Sequence, residues 1–83
     1  PYIIDSVGWG HYLIEDYVNA EKFIQKAIEL MPKDPIVNDH YGDVLWKLNR
    51  KLQAKYYWES AFNSGEANDE LKENISIKLL KGF

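Results

Sequence analysis

The feature that most constrains this chain is its likeness to itself: shifted by about 34 residues, it pairs small, aromatic and punctuating residues of its first half with residues of the same kind in its second. Pro1 meets Pro35, Asp5 meets Asp39, Gly8 meets Gly42, Ala20 meets Ala54 and Ala27 meets Ala61. Tyr12 meets Trp46, Ile14 meets Leu48, Phe23 meets Tyr57 and Ile24 meets Trp58. The shared small residues fall at helical spacing, while the breaks Glu15-Asp16, Pro32-Lys33-Asp34-Pro35 and Asn63-Ser64-Gly65 lie between the periodic runs. With 83 residues in all, the chain has room for one small domain or a few copies of a short unit, not for two domains.

The periodic runs read as five helices and no strand. The first covers residues near 2 to 14, with Ile4, Val7, Trp9, Tyr12 and Leu13 as its apolar positions, and the second covers about 18 to 31, with Val18, Ala20, Phe23, Ile24, Ala27, Ile28 and Met31. Pro35 fits the first turn of a third helix, running from near Ile36 to Leu48, because Pro is tolerated there and not in a helix interior. A fourth runs from near Leu52 to Phe62 and is closed by Asn63-Ser64-Gly65. The fifth starts after the capping candidates Asn68 and Asp69, carries Leu71, Ile75, Leu79 and Leu80, and stops at Gly82. Loops of two to six residues make neighbouring helices antiparallel. The expected division is residues 1–34 as one unit, 35–68 as a second and 69–83 as a capping helix. The chain starts on Pro and enters its pattern at once, which suggests a piece of a longer protein.

These residues resemble the tetratricopeptide repeat family over essentially the whole chain. Val7-Gly8, Ala20, Ile24, Ala27 and Pro32 match its small and large positions in the first copy, and Tyr41-Gly42, Ala54, Trp58 and Ala61 in the second. Gly8 with Ala20, and Gly42 with Ala54, are expected to mark the close helix crossings, with Ile24 and Trp58 filling the space below. Departures are Ile4 and Asn38 where the family prefers Trp, His11 and Leu45 where it prefers Tyr, and Glu66 in place of the closing Pro. Asp5-Ser6-Val7-Gly8-Trp9 and Asn38-Asp39-His40-Tyr41-Gly42-Asp43 look more narrowly like the C-terminal part of bacterial, particularly alphaproteobacterial, proteins of this kind. The resemblance implies an all-α right-handed superhelical solenoid, a scaffold or adaptor role, and ligand contacts made by the first helix of each pair.

Composition removes several classes of function. A net charge of -3 argues against nucleic acid or an anionic membrane surface as partner, since both need clustered Lys and Arg. The basic stretch Lys47, Arg50, Lys51 and Lys55 runs into Tyr56-Tyr57-Trp58, but Trp58 falls on a core position of the repeat. The chain has no Cys, so it has no disulfide, thiolate metal site or Cys nucleophile, and no clue to its compartment. No nucleophile elbow or phosphate-binding glycine loop is present, and Gly8-Trp9-Gly10 lies within a helix pattern rather than after a strand. The expectation is a non-enzymatic chain without cofactor.

Two polar features compete with that expectation. Asp39, His40 and Asp43 carry the residue types of a metal or acid-base site, although His40 lies about 100° around the helix from Asp39. The plainer reading places Asp39 in a first turn favoured by the helix dipole and His40 beside a carboxylate or in the seam. By the resemblance, the groove positions are Tyr2, Asp5, Trp9, Tyr12 and Leu13 in the first copy, and Ile36, Asp39, Asp43, Trp46 and Lys47 in the second. Lys and Asn, with which some members clamp a peptide carboxylate, are replaced here by Asp5 and Asp39, and by Trp9 and Asp43. The groove is therefore expected to be acidic and aromatic, suited to a basic or aromatic-rich protein segment. Packing alone competes as an account of Trp9 and Trp46, and a purely structural end of a longer array competes with binding. The uncovered apolar surface around Tyr2, Ile3, Val7, Gly10 and Ile14 further predicts a homodimer.

Overall fold

The computed structural model describes residues 2–82; Pro1, Phe83 and the side chain of Tyr2 lie outside the described residues, and with them one expected groove position. Five helices follow one another: α1 (Tyr2–Leu13), α2 (Tyr17–Leu30), α3 (Pro35–Lys47), α4 (Lys51–Phe62) and α5 (Asp69–Lys81). The chain is all-α, with no strand among the described residues. α2 packs between α1 and α3, and α4 between α3 and α5, so each helix lies against its sequence neighbours.

Helix starts follow from capping chemistry. Asp34 Oδ1 accepts from the backbone N–H of Ile36 and of Val37, each at 3.0 Å, and Pro35 fills the next position, where its missing N–H costs nothing. Asn68 caps α5 by accepting from Leu71 N at 2.8 Å. Asp34 and Asn68 stand one repeat period apart, so α5 enters the stack where the first helix of a third unit would. Asp16 caps α2 through Asn19 N at 3.4 Å and Asn19 Nδ2 at 2.7 Å. That amide hydrogen bond, more than the nearby His11, holds the Asp16 carboxyl below its ordinary range.

Helix ends show the internal repeat in the backbone itself. Glu15 and Asn49 both take a left-handed conformation, φ 64° in each case. Around the first, Glu15 N donates to Tyr12 O and Asp16 N to His11 O, both at 2.9 Å. Around the second, Asn49 N donates to Trp46 O at 3.0 Å and Arg50 N to Leu45 O at 2.9 Å. The same paired reverse bonds therefore close α1 and α3, one repeat period apart. Gly65, expected to help close α4, has no left-handed φ; the cap there is Asn63 in a right-handed conformation, bonded to Glu59 O.

The core consists of two clusters. Ala20, Ile24, Tyr41, Val44, Leu45 and Ala54 form one; Trp58, Ala61 and Ile75 form the other. Gly8 marks the first close crossing, since a Cβ there would lie 2.5 Å from Ile24 Cγ1 and 3.2 Å from Ala20 O. The second crossing follows the same pattern: a Cβ on Gly42 would lie 2.3 Å from Trp58 Cδ1, the counterpart of Ile24, so Gly42 makes room for the indole, and Ala54 on the facing helix is fully buried. Trp58 is too wide to sit under a side chain at position 42, and its complete burial depends on that glycine.

Candidate functional site

α1, α3 and α5 are joined along one side by a line of polar and aromatic contacts, and the expected groove residues fall on it. Trp9 stacks on Tyr12, with ring centroids 4.4 Å apart and planes 12° apart. The same indole stacks on His40 at 4.1 Å and 17°, which ties α1 to α3. His40 Nδ1 pairs in turn with Asp5 at 2.9 Å to Oδ2 and 3.1 Å to Oδ1. Trp9 and Tyr12 are half-buried, Leu13, Ile36 and Lys47 exposed. Burial, followed by the charges of Asp43, Tyr17 and Asp39, raises the Tyr12 phenol well above its ordinary range, so it stays a neutral hydroxyl.

The carboxylates depart from expectation. Asp5, Asp39 and Asp43 occupy the expected side but are buried, not displayed to solvent. Lys78 of α5 reaches across α3, its Nζ 2.9 Å from Asp39 Oδ1 and 2.8 Å from Asp43 Oδ1. Trp58 Nε1 donates to the same Asp43 oxygen at 3.0 Å. The acidic groove is thus corrected to a neutralised one, because a buried carboxylate needs a partner and the chain supplies His40 and Lys78. Burial first, then Asp39, push Asp43 up to about 6 against the opposing pull of Lys78 and Trp58. Burial opposes the ammonium of Lys78, but Asp43 and Asp39 together hold it above its ordinary value.

The three residues of the metal and acid-base alternative are held apart by the same geometry. His40 aims at Asp5 on α1, whereas Asp39 and Asp43 share Lys78, so the triad does not converge. Among the described residues no group of three His, Cys, Asp or Glu is arranged to hold a metal ion. His11 stacks on Phe23 at 5.4 Å with nearly parallel planes, a packing role on the far side of α1 from this line.

Trp46 is more enclosed than a ligand-facing indole. It lies 5.4 Å from Trp58 between centroids, carries Lys51 Nζ 4.8 Å above its ring, and meets Gly82, where a Cβ would come within 2.6 Å of its Cζ2. Gly82 has φ 78°, and a side chain there would be both strained and blocked. Of the basic stretch, Arg50 pairs with Glu21, and Lys47, Lys51 and Lys55 are exposed, while the adjoining Trp58 is fully buried.

Two features escaped the reading of the sequence. Ile77 and Leu80 of α5 are exposed and continue the register of Trp9 with Asp43 and of Tyr12 with Trp46. Beside them a depression of about 370 Å³ opens between Asp39, Asn74, Ile77, Lys78 and Gly82. Extending the repeat period into α5, rather than treating that helix as a cap alone, is the signal that finds them. A second cleft, about 530 Å³, runs from Glu21 and Tyr41 to Arg50 and Tyr56. Burial, then Glu21 and Tyr57, push the Tyr41 phenol up to about 12.

Comparison with known proteins adds one weak likeness. Over 62 residues, 75% of the chain, it is 29% identical to the aspartyl/asparaginyl beta-hydroxylase of Homo sapiens. The matched stretch spans 8% of that protein's length. No family model matches the chain. No solved structure matches it.

Proposed function

We propose that the chain is a tetratricopeptide-type repeat module, without catalysis of its own, that binds a protein segment along the α1, α3 and α5 side. The observation that carries this reading is the half-exposed Trp9, stacked between Tyr12 and His40, in register with the exposed Ile77 and Leu80. Stacked and half-exposed aromatics offer contact area at little entropic cost, and such residues are enriched where one protein meets another. Apolar or aromatic anchors suit this surface better than a basic segment, because His40 and Lys78 already meet its carboxylates. The human hydroxylase does not lend the chain an activity, since the likeness spans so small a part of it.

A second reading, a purely structural end of a longer array, is favoured by the enclosure of Trp46 and the internal pairing of Asp39 and Asp43. Peptide-library selection against the full chain separates the two, with Leu80→Asp as the control because Leu80 is exposed and its change leaves the core untouched. Binding should perturb the indole resonance of Trp9 and the amide resonances of Trp9, Leu13, Ile77 and Leu80, and Leu80→Asp should weaken it about 10-fold, as expected for an anchor worth about 1.4 kcal/mol. A selection that returns no binder, or binders mapped to the Tyr56 cleft, would leave the structural reading in place.

A further inference from the structure

The cleft between α2 and α4 has no part in the binding proposed along α1, α3 and α5. Glu21 and Gln25, four apart on α2, form one wall, and Gln53, Tyr56 and Tyr57 of α4 the other, with about 530 Å³ between them. Tyr41 of α3 forms the floor: it is 6% exposed, and among the described residues its hydroxyl makes no hydrogen bond. A hydroxyl on so buried a residue ordinarily has a partner. Burial, followed by Glu21 and Tyr57, pushes this phenol up to about 12, so it stays protonated and offers both a donor and an acceptor. Packing does not call for it, since its counterpart one period earlier is Val7, and the counterpart of Tyr57 is Phe23. The second copy carries two hydroxyls at positions where the first has none.

From these groups we infer that the cleft is a second binding site, for a neutral sugar of one or two rings. Its charges cancel, because Arg50 pairs with Glu21 at the rim, so neither an anion nor a cation meets a net opposite charge. Around that pair stand the amides of Gln25 and Gln53 and the Tyr41 hydroxyl, each able to donate and to accept. Sugar hydroxyls do the same, so each finds a partner at any of these groups. The Tyr56 ring meets Tyr57 edge-on at 5.1 Å and 87°, and Tyr57 meets Tyr41 at 4.6 Å and 62°. This aromatic corner gives the C–H face of a sugar ring an apolar surface beside the polar one. A proline-rich segment suits the cleft less well, since a Pro ring on the floor would cover the Tyr41 hydroxyl without pairing it. The volume falls within the ~300–1,000 Å³ of small-molecule sites.

The test titrates the isotope-labelled full chain with glucose, galactose, mannose and N-acetylglucosamine, each also as a disaccharide. At least one of them should shift the side-chain amides of Gln25 and Gln53 with a Kd of about 1 mM or below. The Trp9 indole should stay unmoved, which keeps this site distinct from the α1, α3 and α5 side. Tyr41→Phe removes the hydroxyl alone and should leave the melting midpoint within about 2 °C, because that hydroxyl holds no other group. It should weaken the sugar about 3- to 10-fold, as for one lost hydrogen bond. Gln53→Ala, at an exposed position, should weaken it to the same degree and decides the matter alone if Tyr41→Phe does not fold. Galacturonate and glucosamine should bind no more tightly than their neutral counterparts. Binding unchanged in either folded variant, or a charged sugar that binds more tightly, overturns the inference. So does a cleft that no sugar shifts, including one that adenosine or an oligoproline peptide fills instead.

Discussion

Lys78 Nζ stands 2.8 Å from Asp43 Oδ1, the same oxygen that accepts the Trp58 indole N–H. One ammonium from the last helix thereby compensates two buried carboxylates of α3, and the contact holds α5 across the stack. Lys78→Met would keep the length of the side chain and remove its charge. Breaking a buried pair by removing one partner costs about 3 kcal/mol, because the remaining charge has lost its compensation. Urea unfolding of Lys78→Met should show a loss of that order. Adding Asp43→Asn and Asp39→Asn to it should restore most of the stability, and a triple variant as weak as the single one would contradict the pairing.

Asp43 also sets a dependence on pH. Its ordinary value of 3.8 is raised to about 6 in the folded chain. Between those two values the folded chain holds a proton that the unfolded chain has released. Stability therefore rises as pH falls from 7 toward 5, by at most about 1.4 kcal/mol per pH unit. Lys78 acts at the alkaline end with the opposite charge: its contribution is present below its ordinary value of 10.5 and is lost as pH climbs past its raised folded value. Asp43→Asn keeps an oxygen for the Trp58 indole and removes the titration. Unfolding curves at stepped pH should show a shallower slope between pH 5 and 7 in the variant, and an equal slope in both proteins would place the proton elsewhere.

Two helical glycines in different surroundings, Gly42 on α3 and Gly10 on α1, should respond in opposite directions. At Gly42 an added Cβ lies 2.3 Å from the buried ring of Trp58. Gly42→Ala should cost about 1–3 kcal/mol by overpacking, more than the helix propensity it gains. At Gly10 the space is open, and Gly10→Ala should stabilise by about 0.5–1 kcal/mol through propensity alone. Thermal melts of the two variants check both signs, and a stabilised Gly42→Ala would mean that Trp58 is free to move.

The helices and their order were legible in the sequence because Pro35, Asp34, Asn68 and the small residues at Gly8, Ala20 and Ala27 speak through local chemistry. The side of the stack on which Trp9, Tyr12 and Asp43 lie was legible too, since spacing fixes which residues share a helix face. What was not legible was the fate of the charges. Lys78 is far from Asp39 and Asp43 along the chain, and its pairing with both depends on how α5 crosses α3, which no local pattern encodes. That His40 meets a carboxylate was legible; that the carboxylate is Asp5 on α1 and that the ring stacks on Trp9 was hidden for the same reason. How tight the fit at Gly42 becomes was not legible either, because it is set by the width and rotamer of Trp58, which spacing does not encode.

The turns after α1 and α3 lacked the usual glycine, and that omission leads to the last prediction. Glu15 and Asn49 carry φ 64° where a residue with a side chain is strained, though Asn tolerates the left-handed region better than Glu does. Glycine removes the clash between Cβ and the following carbonyl but adds freedom to the unfolded chain, so the net gain is smaller than the full strain. Glu15→Gly should stabilise by about 1 kcal/mol. Asn49→Gly should gain less, about 0.5 kcal/mol or under, since less strain is relieved. Both turns keep their paired reverse hydrogen bonds, so hydrogen exchange at Asp16 N and Arg50 N should slow in the corresponding variant. A ranking with Asn49→Gly above Glu15→Gly, measured by urea unfolding of both against the parent, would mean that the Glu15 side chain makes a compensating contact at that turn.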